Sequence, residues 1–442
     1  MDVSRGGALS RTTRLLNEQL LGASGDCDRI ADLLADFTVQ LVADMDVAAT
    51  RAGQELILAA NLLIRRMGMA VHAHVPDAPL VAAAPPYEGT SLHEALRGVA
   101  DELIPATRFG IDLADAAQVT FVLGGSCHAG AEPTLRVGLN DLCATVRPAA
   151  ADPAARFDAD AVLAALAAAG CVASQSLRAF LPSLTKAFGI EIRSHSFELH
   201  HEIEIDLEQL FPGLGELPQP QQLGWIDFIS AGAITNASVY TLLRCDGLDA
   251  DARVIEREDV DLSNLNRYML ALSRDLGKLK IRVLEGVGTA RFRIRGSPEL
   301  FTEESRSRLL PLASRVLVGV DDVRSRWAVQ QEEPRWLCVG ATEGFDALVS
   351  THRPGQACAG CIHPFPNDDR DEIVPTISFV SFLAGFLQAL ALLDEAGGAE
   401  HHEQVIHCMA FGWEKPVIVR MLLAQQAQCP VCGDVSGSAE AA

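Results

Sequence analysis

The chain has 442 residues, of which 49% are hydrophobic, so it is long enough for about two or three domains with cores of their own. Its formal charge of −22 argues against nucleic-acid binding, because contacts with phosphate backbones need a basic surface. The opening residues lack the apolar segment of a signal peptide, and no run approaches the roughly 18 apolar residues of a membrane span. We therefore expect neither a nucleic-acid nor a membrane partner.

The first half of the chain, residues 1–220, carries patterns of both helices and strands. Apolar residues at three- and four-residue spacing predict helices in 29–45 and 49–68. An apolar run that ends in two glycines predicts a buried strand at 119–125. An Asp-led, Ala-rich segment predicts a helix that Pro182 stops. This half is predicted to be a mixed α/β domain, and none of its motifs indicates a chemical activity.

The second predicted domain, residues 221–442, begins within a predicted linker at 216–224, and after this linker strands and helices alternate regularly. The predicted strands are WIDFIS (225–230), DARVIE (251–256), RFRIRG (291–296), RVLVGVDD (315–322) and WLCVGATEG (336–344). Such alternation predicts a mostly parallel, Rossmann-like sheet covered by helices. Ligands of these α/β folds bind where strands end and loops begin.

The turn after the first of these strands is a candidate phosphate-binding loop. It runs from Ser230 to Asn236, where a nucleotide-binding βαβ unit would carry G-x-G-x-x-G, and only the middle glycine, Gly232, remains. Glu256 ends the next strand, where an acid can hydrogen-bond a ribose hydroxyl. The same residues also fit an ordinary tight turn.

Cations follow on two further segments. Asn264 and Arg267 belong to a Ser-Asn-Leu-Asn-Arg block, and Lys280 ends a Gly-Lys-Leu-Lys block. A triphosphate needs positive charge from more than one element, which Arg267 and Lys280 would supply. Asp321 ends an apolar strand, where a carboxylate could hold Mg²⁺. By spacing alone, an exposed loop with ordinary surface cations explains the two basic blocks equally well.

Four of the eleven cysteines form two C-x-x-C pairs, Cys358 with Cys361 and Cys429 with Cys432. Two such pairs complete a tetrahedral four-thiolate site, which indicates structural Zn²⁺ because no position stays open for catalysis. Redox chemistry is the less favoured interpretation. Thiolate pairs in a large chain also favour a reducing compartment, so we expect a cytoplasmic protein.

These motifs together resemble a known family. DVDLSNLNRYMLALSRDLGKLK (259–280) resembles the D-x-V-x-x-S-N-L-N-R-Q…V-G-x-P-K signature of the ThiF/MoeB/HesA and ubiquitin-activating enzyme family. VGVDDVRSR (318–326) is similar to the family's D-x-x-D-N-x-x-x-R segment, and 344–364 resembles its approach to the zinc site. The resemblance covers about 225–433 and suggests a bacterial-type enzyme.

The resemblance implies a role for each matching residue. Glu256 stands at the ribose-binding acid, which is usually Asp, and Asn264 and Arg267 stand at positions that contact ATP phosphates. Lys280 stands at the phosphate-binding lysine and Asp321 at the aspartate that handles magnesium. The implied reaction is ATP-dependent adenylation of the C-terminal carboxylate of a small ubiquitin-like or sulfur-carrier protein.

One departure from the family concerns the step after adenylation. Many ubiquitin-activating enzymes have a nucleophilic cysteine in a segment like P-T-C-A, where this chain has Pro375-Thr376-Ile377. Ile377 cannot form a thioester, so a thiol on a partner protein is one candidate acceptor. Cys338 and Cys408 lie in apolar sequence and are predicted to be buried.

Three questions stay open at this point. A non-catalytic nucleotide-binding scaffold for a ubiquitin-like partner and an NAD(P)-dependent oxidoreductase are the alternative functions. The similar enzymes work as dimers or as fused pairs with one inactive half, so residues 1–220 are either a degenerate activating-enzyme half or an unrelated domain. Arg65 or Arg66 of the first half is a candidate to reach the ATP site.

Overall fold

The structure, a computed structural model, describes residues 4–433 apart from 82, 106, 115, 127–132, 152–154, 191–198, 200, 201, 217–220, 367–373, 400, 401 and 413–415. The elements of the first half are α1 (Arg5–Leu20), α2 (Cys27–Asp36), β1 (Thr38–Val42), α3 (Met45–Ala48), α4 (Arg51–Arg66), β2 (Ala70–His74), α5 (Leu92–Gly98), β3 (Phe109–Gly110), β4 (Val119–Leu123), β5 (Thr134–Asn140), β6 (Cys143–Pro148), α6 (Val162–Phe188), β7 (Ile203–Asp206) and α7 (Leu207–Leu210).

The second half contains the strands and helices that carry the predicted motifs. They are β8 (Gln222–Ile229), α8 (Ala233–Leu242), β9 (Asp249–Ile255), α9 (Lys280–Val287), β10 (Phe292–Ser297), α10 (Arg306–Leu309), β11 (Arg315–Val318), α11 (Val323–Gln330), β12 (Trp336–Glu343), β13 (Asp346–His352), α12 (Ala359–Ile362), α13 (Ser378–Ala396), β14 (Val405–Met409) and β15 (Val417–Met421). All five predicted strands of this half are present. The α/β, Rossmann-like prediction is confirmed.

The two halves have the same sheet topology. The first sheet has the order β3-β2-β1-β4-β5-β6-β7, and the second has the order β10-β9-β8-β11-β12-β13-β14-β15. In both sheets the pairs from the first edge to the fifth strand are parallel, and the pairs after it are antiparallel. Each half also inserts one long helix, α6 or α13, between its sixth and seventh strands. The chain therefore repeats one architecture, with an additional edge strand in the second copy.

The long helices pack the halves together. α6 lies on α4, α13 lies on α8, and the two long helices contact each other. A Cβ on Gly170 of α6 would come within 2.8 Å of the Leu383 side chain of α13, so this helix contact is close. Glu55 of α4 accepts a 2.5 Å hydrogen bond from Arg244, and both side chains are almost fully buried. One hydrophobic core extends through both halves.

Both α6 and α13 are long and apolar enough to cross a membrane, which the sequence pattern had not predicted. In each helix, 89% of the most apolar stretch is buried inside the protein. Burial of this kind is what a core helix of a folded domain shows.

Two element predictions for the first half are wrong. The helix expected over 29–45 ends at Asp36, and Thr38–Val42 form a central strand that pairs with β2 and β4. The α6 helix does not stop at Pro182 but continues to Phe188. Pro182 is exposed near the C-terminal end of α6. The helix itself ends where Gly189 adopts φ +65°. Of the predicted linker, 217–220 lie outside the described residues and Gln222–Gly224 already belong to β8.

Candidate active site

A cavity of about 580 Å³ opens at the carboxyl ends of β8, β9 and β11. Its lining includes every residue of the predicted nucleotide site, namely Gly232, Glu256, Asn264, Arg267, Lys280 and Asp321. The volume is within the range of about 300–1,000 Å³ that small-molecule sites occupy. Residues up to 89 positions apart in sequence, Gly232 and Asp321, thus share one pocket, and their individual roles remain predictions.

Two cations flank one aromatic ring in this cavity. The Arg267 guanidinium lies 5.3 Å and the Lys280 ammonium 5.7 Å from the ring centroid of Tyr268. Burial lowers the pKa of Arg267 to about 10, and Arg267 also donates to the Ser263 carbonyl at 2.6 Å. Burial opposes the charge on Lys280, but Tyr268, Glu258 and Glu256 outweigh it and raise the pKa of the ammonium. Both side chains therefore carry positive charge at neutral pH.

Two aspartates, Asp321 and Asp322, follow β11 at the edge of the cavity. Asp322 caps α11 by accepting hydrogen bonds from the backbone N–H groups of Arg324 and Ser325, and its carboxylate also accepts one from the Ser325 hydroxyl at 2.6 Å. Asn and Asp cap helices about equally well, so Asn would serve at this position too. Asp321 lines the cavity, exposed to solvent, and its charge acts on Arg267 and Arg326. A bound cation could therefore reach the Asp321 carboxylate.

The turn that replaces the glycine-rich loop is held by Glu256. One oxygen of this buried carboxylate accepts from the Arg257 and Glu258 N–H groups at 2.8 and 3.0 Å. The other accepts from the Ser230 hydroxyl at 3.2 Å and from the Ala231 N–H at 3.4 Å. A Cβ on Gly232 would lie 3.1 Å from the Ser230 hydroxyl, so the glycine keeps the turn compact.

The first half of the chain reaches the cavity through α1. Arg11 lines the pocket and donates to the Val374 carbonyl at 3.2 Å. Thr12, next to it, accepts a hydrogen bond from the Asn266 side chain. Sequence reasoning missed Arg11, because a lone arginine in an N-terminal helix has no motif around it.

Arg65 and Arg66, the arginines suggested for this role, do not line the pocket. Arg65 donates to the carbonyls of Ala100 and Thr107 within the first half. Arg66 is fully buried and donates to the carbonyls of Leu265 and Ala271, at 2.6 and 2.8 Å. Arg66 therefore stabilises the loop that carries Arg267 through hydrogen bonds to its backbone, and it does not line the cavity.

The four C-x-x-C thiols meet at one point. The sulfurs of Cys358, Cys361, Cys429 and Cys432 all lie within 4.8 Å of one another. The sulfurs of Cys358 and Cys429 are 3.3 Å apart, and those of Cys361 and Cys432 are 3.5 Å apart. The two C-x-x-C segments therefore contact each other through their thiols. Four thiolates at such separations fit one tetrahedral metal ion.

Ile377, which occupies the cysteine position of the P-T-C-A segment, is not accessible to solvent. Ile377 is fully buried at the start of α13. Cys338 and Cys408 are also buried, and burial raises the pKa of both thiols far above the usual range. Burial of these two cysteines agrees with the sequence prediction, and a protonated thiol is a poor nucleophile.

Comparisons with known proteins give matches to parts of the chain. Residues 38–189 match the family model described as the BilD N-terminal domain. The uncharacterized protein y4jF of Sinorhizobium fredii (strain NBRC 101917 / NGR234) is 30% identical over 189 residues, which is 42% of this chain. The match spans only 33% of that relative's length.

Solved structures show weaker likenesses. E. coli MccB with ATP is 14% identical at a TM-score of 0.40, over 68% of this chain and 98% of MccB. E. coli MccB with MccA-N7isoASN is 13% identical at a TM-score of 0.41, over the same shares of the two chains. PaaA is 12% identical at a TM-score of 0.36, over 45% of this chain and 64% of PaaA.

Proposed function

We propose that this protein uses ATP to adenylate the C-terminal carboxylate of a small ubiquitin-like or sulfur-carrier protein. The carboxylate oxygen attacks the α-phosphorus, and the bond from that phosphorus to the β-phosphate bridging oxygen breaks. The products are the acyl-adenylate and pyrophosphate. No proton is transferred in this step, so the protein has to supply positioning and charge more than acid–base chemistry.

The observation that carries the proposal is the convergence of Arg267, Lys280 and Asp321 on one cavity. ATP brings a triphosphate into a pocket that otherwise contains Glu256, Glu258, Asp259, Asp261 and Asp322. Such an anion needs several cations at fixed positions, and the cavity offers Arg11 as a third. Because six carboxylates line the cavity beside these three cations, the proposed polyphosphate would bind together with Mg²⁺.

Within this proposal seven of the lining residues have defined roles. Arg11, Arg267 and Lys280 neutralise the phosphates and the leaving pyrophosphate, while Asn264 contacts the phosphates from the same loop. Asp321 would hold Mg²⁺, which supplies charge neutralisation at phosphate oxygens when bound. Glu256 accepts from a ribose hydroxyl, and Gly232 allows the backbone to approach the nucleotide closely.

The repeated topology supports an internal pseudo-dimer with one nucleotide site. In the first half the turn after β4 is filled from within, because Arg136 donates to the carbonyls of Gly124 and Ser126. A Cβ on Gly124 would come within 2.9 Å of Val47 and 3.2 Å of Phe157, so this turn packs closely against its neighbours. We propose that residues 1–220 are a degenerate activating-enzyme half that supplies Arg11 to the active half, residues 221–442.

The proposal extends to the partners and the metal. The acyl-adenylate passes to an acceptor on another protein, a thiol being the expected chemistry, since Ile377 offers none. Structural Zn²⁺ occupies the four-thiol cluster and fastens the C-terminal segment to the domain. Thiols that must stay reduced for this purpose agree with a cytoplasmic location.

The direct test is exchange of labelled pyrophosphate into ATP, measured with candidate small proteins that end in Gly. Exchange that depends on an intact C-terminal carboxylate supports adenylation, and a C-terminally amidated partner is the matched control. ATP binding without exchange for any partner would favour the scaffold instead. Stabilisation by NADH but not by ATP in thermal melts would favour the oxidoreductase.

A further inference from the structure

Ser230 occupies the position of the first glycine of G-x-G-x-x-G in the candidate phosphate-binding loop, and its backbone is strained. Four non-glycine residues in the described part of the chain have a clearly positive φ, and Ser230, at φ +87°, is the member of this group that lines the cavity. L-residues other than Gly, Asn and Asp adopt this region rarely, because the Cβ atom crowds the backbone. A glycine here would have no such conflict.

The hydroxyl of Ser230 connects two parts of the site. It accepts a hydrogen bond from the Gly232 N–H at 3.0 Å and donates one to Glu256 at 3.2 Å. The other three donors to Glu256 are backbone N–H groups, so Ser230 supplies the one side-chain donor among the four. The Ala231 N–H, at 3.4 Å, is the longer bond to the same oxygen. Without the hydroxyl, that oxygen would be held weakly.

We propose that Ser230 is a positioning residue that orients the Glu256 carboxylate toward the ribose of the bound nucleotide. This inference rests on the proposed ATP site and adds what sets its ribose selectivity. The hydroxyl helps to fix the rotation of a carboxylate that lines the cavity, where a ribose hydroxyl would share one of its oxygens with the internal donors. The strained backbone at residue 230 is the cost of having a hydroxyl at that point.

Two variants separate the hydroxyl from the strain. Ser230→Gly removes both, and Ser230→Ala removes the hydroxyl but keeps a Cβ at positive φ. We expect Ser230→Gly to melt about 1–3 °C higher than Ser230→Ala, because the strain is relieved. Both variants should bind ATP about tenfold more weakly, on the scale of one hydrogen bond to a charged group.

The decisive readout is nucleotide selectivity, measured by calorimetric titration of the full chain with Mg–ATP, 2′-deoxy-ATP and 3′-deoxy-ATP. The wild-type protein should prefer ATP over the analogue that lacks the hydroxyl bound by Glu256. Both variants should lose about tenfold of that preference, since their affinity for that deoxy analogue stays at the wild-type value.

Each outcome bears on a defined claim. Unchanged selectivity in both variants, with the wild-type protein binding ATP, overturns the role of Ser230 and leaves the adenylation proposal standing. Tight, selective ATP binding without pyrophosphate exchange overturns adenylation and leaves the role of Ser230 standing. A wild-type protein that binds no ATP overturns both.

Discussion

The side-chain amide of Asn266 donates a 2.9 Å hydrogen bond to the hydroxyl of Thr12. The two residues are 254 positions apart, and both are completely buried. The same amide also donates to the Thr376 carbonyl at 3.2 Å. A residue of the candidate phosphate-binding block is therefore fixed by the first helix of the chain, which makes the first half part of the site.

This contact predicts that Thr12→Val weakens ATP binding. Valine has the shape of threonine but no acceptor, so the buried Asn266 amide loses a partner and the Arg267 loop becomes less well fixed. We expect KM for ATP to rise about tenfold in pyrophosphate exchange. Thr13→Val is the matched control, because the Thr13 hydroxyl is also buried but bonds only within α1. Equal KM values for the two variants would contradict the prediction.

Arg11 is predicted to contribute to the chemical step. Arg11→Ala removes one of three cations around the phosphates, and loss of such a preorganised group typically costs about 10²-fold in kcat. The measurement is kcat for pyrophosphate exchange at saturating ATP. Arg14→Ala, one turn along α1 where Arg14 pairs with Glu18, should stay near the wild-type rate. A rate for Arg11→Ala within about twofold of wild type would remove Arg11 from the mechanism.

The pseudo-dimer proposal predicts one nucleotide per chain. Arg136 fills the turn in the first half that corresponds to the Asp321 turn of the second. Calorimetric titration with ATP should give a stoichiometry of about one, and Arg267→Ala should abolish all binding. Two sites per chain, or a second site that survives Arg267→Ala, would show that the first half has kept a pocket of its own.

The thiol cluster predicts one tightly held zinc ion per chain. Elemental analysis of protein purified with reductant should give about one equivalent, and Cys432→Ser should lower both the zinc content and the melting temperature. Cys27→Ser is the control, because Cys27 lies outside the cluster. Zinc-free wild-type protein with an unchanged melting temperature in strong chelator would contradict a structural metal at Cys358, Cys361, Cys429 and Cys432.

Sequence patterns predicted the second half well because its signals are local. The strands of the parallel sheet read as short apolar runs, and each candidate ligand stands directly after such a run or in the loop that follows. Parallel strands bring their carboxyl ends to one edge of the sheet, and β8 lies between β9 and β11, so Gly232, Glu256 and Asp321 meet there. The C-x-x-C spacing required no tertiary information at all.

The first half was harder because its signals depend on tertiary context. Thr38–Val42 follow α2 after one residue, Phe37, so the apolar pattern continues without a Gly or Pro to mark the change from helix to strand. Pro182 lies on the exposed side of α6, where its ring meets solvent and not a packed neighbour. Arg11 reaches the cavity because α1 packs against the other half, which no local pattern encodes.

The most direct test of the site is pyrophosphate exchange in Asp321→Asn beside Asp322→Asn, with the carboxylate partner supplied. Asp322 caps α11 and Asn caps nearly as well, so Asp322→Asn should retain exchange within a few-fold. Asp321→Asn should lose at least about 10²-fold because the proposed Mg²⁺ ligand is lost, and Arg267→Ala should match it because a cation at the phosphates is lost. Near-normal exchange in Asp321→Asn and Arg267→Ala would contradict the claim that these residues hold ATP.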